Sequence, residues 1–227
     1  MKKYNIFLFD ADDTLFDYQI AEKIALKVML RQFGIELTSE LHSFYKKSNM
    51  DLWHKFERNE VSSEELQRTR FELLLNKAGL TEDPMEFNKK YLFELGKCSV
   101  LNDGAEDICK KIKSSGKEIY IITNGLHYTQ ESRLKHSTIS VYIKDYFISE
   151  VVGYRKPEKE FFDFVFNSIG ETRSDALIIG DSLNADIAGG VISNTDTCWY
   201  NPYKITNGTQ FKPTYEIEAL DEISKFL

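Results

Sequence analysis

The sequence predicts an α/β protein: a mostly parallel sheet covered on both faces, interrupted early by an insert built of helices alone. Three observations predict it. An apolar run, Ile6-Phe7-Leu8-Phe9, ends in Asp10 close to the start of the chain. Residues 19–96 then carry apolar positions at helical spacing with no strand among them. After about residue 98, apolar runs and helical patterns alternate to the end. Such alternation produces parallel strands joined by crossover helices. The first strand therefore belongs to the same sheet as the later ones. The chain divides as 1–17 with 97–227 for the core and 18–96 for the insert.

Each element has a local cause. Residues 4–10 read as a buried strand. Ile20, Ile24, Met29 and Phe33 recur at helical spacing, and Gly34 stops that helix. Thr38 or Ser39 caps a second helix carrying Leu41, Phe44, Tyr45, Leu52, Trp53 and Phe56. Ser62 and Glu65 form a capping box ahead of Leu66, Phe71, Leu74 and Leu75, and Gly79 ends that helix. Asp83-Pro84 with Glu86 opens a fourth, the proline standing in its first turn. Four helices without a strand make a small bundle. In the core, helices are expected over 104–114, 128–136, 158–169 and 183–191. Strands are expected over 118–122, 146–151, 176–180, 196–200 and 215–217, with a final helix after the last. The two crossings between insert and core, near 16–19 and 95–101, permit hinge closure.

Composition excludes several classes. Hydrophobic residues make up 42%, enough for a packed core. Lys and Arg number 29 against 36 Asp and Glu, a net charge of −7. An acidic chain is a poor ligand for a nucleic-acid polymer, whose affinity comes from many basic contacts. No apolar stretch approaches the length of a membrane span, and the N-terminal run is broken by Asp10 too early for a signal peptide. Cys98, Cys109 and Cys198 are odd in number and widely spaced, which points to reduced thiols and a cytoplasmic setting. Oligomeric state is not readable from the sequence.

Chemistry-bearing residues fall at predicted strand ends, where open α/β sheets bind ligands. Asp10 closes the first strand, and Asp12 stands one residue beyond its turn. Two crowded carboxylates repel unless a cation or a shared proton relieves them. Thr123-Asn124-Gly125 follows the strand 118–122, Lys156-Pro157 follows the strand 146–151, and Gly180-Asp181 with Asp186 follows the strand 176–180. Singly, Thr123 reads as a helix cap, Lys156 as a solvated loop lysine and Asp186 as an acid favouring an early helical turn. Their common placement is what makes them a site. Asp13 and Asp17 are assigned to the turn and the entrance of the insert, and Thr14 to buttressing the loop.

This constellation resembles the haloacid dehalogenase superfamily of phosphatases. Asp10-x-Asp12-x-Thr14, Thr123, Lys156 and Gly180-Asp181 with Asp186 occur in the family's order, and the insert lies where the subclass with a helical cap carries it. The resemblance implies a Rossmann-like core with an inserted four-helix cap. It implies that Asp10 is a nucleophile forming an aspartyl-phosphate, and that Asp12 is the general acid and then base. It implies Mg²⁺ held by the Asp10 carboxylate, the Asp12 backbone carbonyl and the Asp181 carboxylate, with Asp186 one step removed. Lys156, Thr123 and the backbone amide of Asn124 are implied to bind the phosphoryl group. The dehalogenase branch lacks an acid at the position of Asp12, so phosphoryl chemistry is expected.

Finer features, Thr123-Asn124-Gly125 with Gln130 and Arg133-Leu134, and Gly153-Tyr154-Arg155-Lys156-Pro157 with Glu160-Phe161-Phe162, resemble the pyrimidine 5′-nucleotidase branch. That branch hydrolyses standard and non-standard nucleoside monophosphates. N-acylneuraminate-9-phosphate or another sugar phosphate is the alternative substrate; a phosphomutase and a silent binding module are further alternatives. Phe16, Tyr18, Trp53, Phe56 and Tyr128 are aromatics available to stack on a base, although such residues more often serve a core.

Overall fold

A computed structural model describes residues 2–58, 60–170 and 172–227. The chain forms two compact units, Met1–Tyr18 with Ser99–Leu227, and Gln19–Cys98.

The second unit is helical. It contains α1 (Tyr18–Arg31), whose first residue is the last of the other unit, followed by α2 (Ser39–Glu57), α3 (Ser63–Ala78) and α4 (Pro84–Gly96). The caps are those the sequence predicts. Thr38 Oγ1 accepts from Leu41 N at 3.2 Å, and Ser62 and Glu65 form a reciprocal capping box. Asp83 accepts from Glu86 N at 2.8 Å, and Gly79 takes the left-handed conformation that ends α3. Phe71 is the hub of the aromatic core, with ring centroids 4.9 Å from Tyr91, 5.1 Å from Phe87 and 5.7 Å from Tyr45.

The first unit is a six-stranded sheet. Its strands are β1 (Ile6–Phe9), β2 (Glu118–Thr123), β3 (Asp145–Ile148), β4 (Ala176–Gly180), β5 (Asp196–Tyr200) and β6 (Tyr215–Ile217). They lie in the order β3-β2-β1-β4-β5-β6, and all five pairings are parallel. Side chains alternate across the sheet. Phe7 and Phe9 face a core shared with Ile108 and Ile112 of α5 (Ala105–Ser114) and with Phe226. Ile6 and Leu8 face Phe161, Phe162 and Val165 of α8 (Lys159–Ile169). Two further helices, α6 (His127–His136) and α7 (Ser149–Val152), follow β2 and β3.

The chain lays β2 and β3 on one side of β1, then returns to lay β4 to β6 on the other. The order therefore reverses between β1 and β4, the switch point at which such sheets open a crevice beyond their carboxyl ends. Asp10 and Asp181 leave the sheet there.

Three expectations about elements are corrected. The strand predicted over 146–151 stops at Ile148, and residues 149–152 form the helical turn α7. Glu150 Oε2 accepts from His127 N at 2.7 Å at the start of α6, and Gly153 (φ 83°) closes the turn, so two valines that look like strand are helical. The helix predicted over 183–191 begins with a π-helical turn, Leu183–Ile187, before the short α9 (Ala188–Ile192). The final helix, Leu220–Phe226, is 3₁₀.

Candidate active site

Lys156 sits at the centre of the site. It is 2% exposed, and its ammonium donates to Asp10 Oδ1 at 2.6 Å, Asp186 Oδ1 at 2.7 Å and the Ile122 carbonyl at 2.8 Å. An ammonium has three protons, and all three are satisfied. Asp10 follows β1, Ile122 lies in β2, and Asp186 lies in the π turn after β4. One cation thus ties together the ends of three neighbouring strands. Burial pulls the Lys156 ammonium toward its neutral form, but the carboxylates of Asp10 and Asp186 more than offset this and hold it charged.

Two residues brace Asp181 through three hydrogen bonds. Thr14 Oγ1 accepts from Asp181 N at 3.1 Å and lies 3.4 Å from Asp181 Oδ1. Trp199 Nε1 donates to the Asp181 carbonyl at 2.8 Å. Thr14 is fully buried, and Asn102 Nδ2 donates to its carbonyl at 2.9 Å. The buttressing expected of Thr14 therefore runs through its side chain as well as its backbone. Asp186 Oδ2 accepts from Ser182 N at 3.1 Å, so both oxygens of Asp186 have protein donors. Gly180 makes room for it: a Cβ there would lie 2.1 Å from Asp186 Oδ2.

Asp10, Asp181 and Asp186 each place a carboxylate oxygen within 4.8 Å of the others, a grouping able to hold a metal ion. When ionised, these three carboxylates stand against one ammonium and leave two negative charges in a buried space. Burial first, and then the neighbouring Asp186 and Asp12, push Asp10 up to about 7 despite the pull of Lys156. Burial and then the charge of Asp10 raise Asp181 well above the usual carboxylate range. A divalent cation removes this excess, and oxygen-only donors suit a hard ion such as Mg²⁺. Asp186 is already engaged by Lys156 and Ser182, which leaves Asp10 and Asp181 as the carboxylates with capacity to spare.

The other sequence-predicted site residues, Thr123, Asn124 and Asp12, belong to the same unit. Thr123 is buried at the end of β2, its Oγ1 accepting from Gly125 N at 3.0 Å. The Asn124 side chain turns to the Lys156 backbone: Nδ2 donates to the Lys156 carbonyl at 2.9 Å, and Oδ1 accepts from Lys156 N at 2.9 Å. The Asp12 carboxylate accepts from Gln130 Nε2 and pairs with the guanidinium of Arg133. Phe16 is fully buried beneath that guanidinium, 4.5 Å from ring centroid to Cζ, and is corrected from a base-stacking candidate to a core residue. Tyr128, by contrast, is exposed. In the helical unit, Trp53 and Phe56 pack edge to face at 5.6 Å. In the sequence Gln130 and Arg133 stand only as marks of a branch. Their direct hold on Asp12 depends on tertiary placement, and spacing alone gave no signal of it.

The switch point of a parallel sheet thus gathers three carboxylates and a buried lysine, a grouping able to hold a metal ion. The chain belongs to the haloacid dehalogenase-like hydrolase family, whose model matches residues 4–192; it is an enzyme, a hydrolase. Relatives align along nearly its whole length. YfnB of Bacillus subtilis (strain 168), named as an HAD-hydrolase, is 40% identical and covers 100% of this chain and 97% of its own. The crystal structure of YfnB bound to magnesium superposes with a TM-score of 0.94 over 100% of this chain and 99% of that one. The pyrimidine 5′-nucleotidase PynA of Streptococcus pneumoniae (strain ATCC BAA-255 / R6) is 34% identical over 97% of this chain and 93% of its own. The pyrimidine 5′-nucleotidase YjjG of Escherichia coli (strain K12) is 30% identical over 99% and 98%.

Proposed function

We propose that this protein is a Mg²⁺-dependent phosphomonoesterase that hydrolyses nucleoside 5′-monophosphates, with a preference for pyrimidines, through an aspartyl-phosphate on Asp10. The observation that carries the reading is the Lys156 ammonium shared between Asp10 and Asp186 beside Asp181 at the switch point. Full-length similarity to two pyrimidine 5′-nucleotidases supports the substrate class. In this reading residues 18–96 are the cap domain. The odd number and wide spacing of the three cysteines support a reducing compartment such as the cytoplasm.

The Asp10 and Asp181 carboxylates and the Asp12 backbone carbonyl would hold Mg²⁺. When bound, the ion supplies positive charge against the phosphoryl oxygens. Lys156 adds a second, fixed positive charge. It holds Asp10 ionised for in-line attack and offsets the phosphoryl charge gathering there. Thr123 and the Asn124 amide bind phosphoryl oxygens beside it. Attack forms the bond between the Asp10 carboxylate oxygen and phosphorus and breaks the ester P–O bond; the Asp12 carboxyl gives its proton to the departing alcohol. In the second half a water attacks phosphorus, its proton passes to Asp12, and the Asp10 carboxylate departs. Phosphate and alcohol are released, and both acids return to their starting states.

The test is phosphate release with Mg²⁺ across one panel: pyrimidine and purine 5′-monophosphates, ribo and deoxy, beside sugar phosphates and N-acylneuraminate 9-phosphate. Highest kcat/KM on pyrimidine monophosphates is expected. Preference for a sugar phosphate overturns the substrate and keeps the mechanism; no release from any ester overturns both.

A further inference from the structure

We infer that Gln130 and Arg133, with Gly125 making room for them, form a positioning device that aims the Asp12 carboxyl at the leaving group. The inference rests on the proposed role of Asp12 as general acid. Three observations lead to it.

First, the two oxygens of Asp12 are held separately. Oδ1 pairs with the Arg133 guanidinium and Oδ2 accepts from Gln130 Nε2. Two donors on different oxygens fix the rotation of the carboxylate as well as its place. Gln130 and Arg133 are three residues apart on α6 and so project from one face of that helix. The helix starts directly behind Thr123-Asn124-Gly125, so the residues that would bind phosphate and those that aim the acid share one rigid element.

Second, the device is buried while its target is not. Arg133 is 0% exposed and Gln130 is 1% exposed, whereas the Asp12 side chain keeps 28% of its surface open. The Arg133 guanidinium lies over the Phe16 ring, which immobilises it from the other side. Each Asp12 oxygen retains a second lone pair, and the exposed edge is where a proton can be handed on or received. A buried arginine and glutamine spent on one partly open carboxylate are costly as stabilising devices. They suit a group whose geometry must be kept within a fraction of an ångström.

Third, Gly125 is explained by Gln130. A Cβ at Gly125 would lie 2.1 Å from Gln130 Nε2 and 2.7 Å from its Cγ. Gly125 is not among the positions with positive φ, so the glycine serves space and not backbone conformation. Only a glycine lets the Gln130 side chain cross the loop and reach Asp12. Asp12, Gly125, Gln130 and Arg133 are thus one coupled group.

Positioning of a leaving-group acid has a signature that loss of structure lacks. The ratio kcat/KM reports the steps up to transfer of the phosphoryl group to Asp10. There the acid matters for an alkoxide leaving group and little for p-nitrophenolate, which departs without a proton. The test compares kcat/KM on uridine 5′-monophosphate and on p-nitrophenyl phosphate, in the full chain with Mg²⁺, for Gln130→Met, Gly125→Ala and Arg133→Met, with Arg133→Lys and Asp12→Asn beside them. Each of the first three is expected to lose roughly 10- to 100-fold on the nucleotide, in line with the cost of misplacing a reacting group by about 1 Å. The loss on the nitrophenyl ester is expected to stay within about threefold, and Arg133→Lys to recover part of the nucleotide rate. If Arg133→Met fails to fold, Gln130→Met and Gly125→Ala carry the test. Equal loss on both esters, or no loss on the nucleotide, overturns the positioning role. Asp12→Asn separates the two layers: a selective loss there with none in the other variants sinks only this inference. No selective loss in Asp12→Asn sinks the reading of Asp12 itself.

Discussion

Asn124 and Lys156 hold each other by a matched pair of hydrogen bonds, the amide of one side chain closing on the backbone N–H and C=O of the other at 2.9 Å each. Asn124 is 32 residues away in sequence and belongs to the loop after β2. The bond pair fixes where the Lys156 side chain enters the site, while its ammonium is fixed by Asp10, Asp186 and Ile122. Asn124→Ala leaves a buried-facing N–H and C=O of Lys156 without these partners and lets the loop drift. Turnover is expected to fall by roughly 10- to 100-fold, as for any reacting group allowed to shift by about 1 Å, with Mg²⁺ affinity nearly unchanged. Equal weakening of the Mg²⁺ response, read by titrating the ion against activity, would show the damage to be wider than this loop.

Lys156→Met removes the one positive charge shared by two buried carboxylates. Breaking a buried pair in this way costs about 3–5 kcal/mol. The cost is expected to be largest at pH 8 and to shrink toward pH 5.5, where Asp10, already pushed up to about 7, takes a proton. Phosphatase activity is expected to fall more than a hundredfold, on the order of a lost electrostatic stabiliser. Urea denaturation at the two pH values and a turnover assay under folded conditions check both parts. Near-normal turnover would remove Lys156 from the mechanism.

Mg²⁺ and pH are linked through Asp10 and Asp181. Burial and the neighbouring carboxylates push Asp10 up to about 7 in the fold, against about 3.9 in an unfolded chain. Between those values the folded state holds more protons, so stability falls as pH rises through that window. The ion requires ionised ligands and cancels the repulsion that raised them. The rise in Tm on adding Mg²⁺ is therefore expected to be larger at pH 8 than at pH 5.5, and scanning calorimetry with and without the ion measures it. An equal or larger rise at pH 5.5 would contradict the assignment of these carboxylates as ligands.

Thr14→Val keeps the shape of a fully buried side chain and removes the acceptor of Asp181 N. An unsatisfied buried N–H costs about 1–3 kcal/mol. Because the same loop carries the Asp181 carboxylate, the Mg²⁺ concentration giving half-maximal activity is expected to rise severalfold with a smaller change in substrate KM. A change in substrate KM alone would place Thr14 elsewhere in the mechanism.

Much of this was legible in the chain because the controlling physics is local. Ser62 and Glu65 announce their helix, and Asp83-Pro84 announces the next, because a cap is satisfied within four residues. Asp10 and Asp181 are visible because an apolar run followed by a charged or small residue marks a strand end, whereas Lys156 lies past the end of β3 at Ile148 and beyond α7. What was not legible depends on distant partners. Val151 and Val152 look like strand, yet the contact of Glu150 with the start of α6 goes with a helical turn there. The π turn at Leu183–Ile187 accompanies the placement of Asp186 against Lys156, 30 residues upstream. Phe16 looked available to a ligand and is buried because Arg133, more than a hundred residues on, lies over it.

The most direct measurement is of the covalent intermediate. The enzyme is mixed with Mg²⁺ and a nucleoside 5′-monophosphate, quenched in acid within the first turnover, and reduced with borohydride. Peptide mass spectrometry then locates the homoserine that reduction of an aspartyl-phosphate leaves. Homoserine is expected at position 10 alone, formed in the unsubstituted enzyme and absent from Asp10→Asn. Turnover without any trapped phosphoenzyme, or label at another carboxylate, would contradict it.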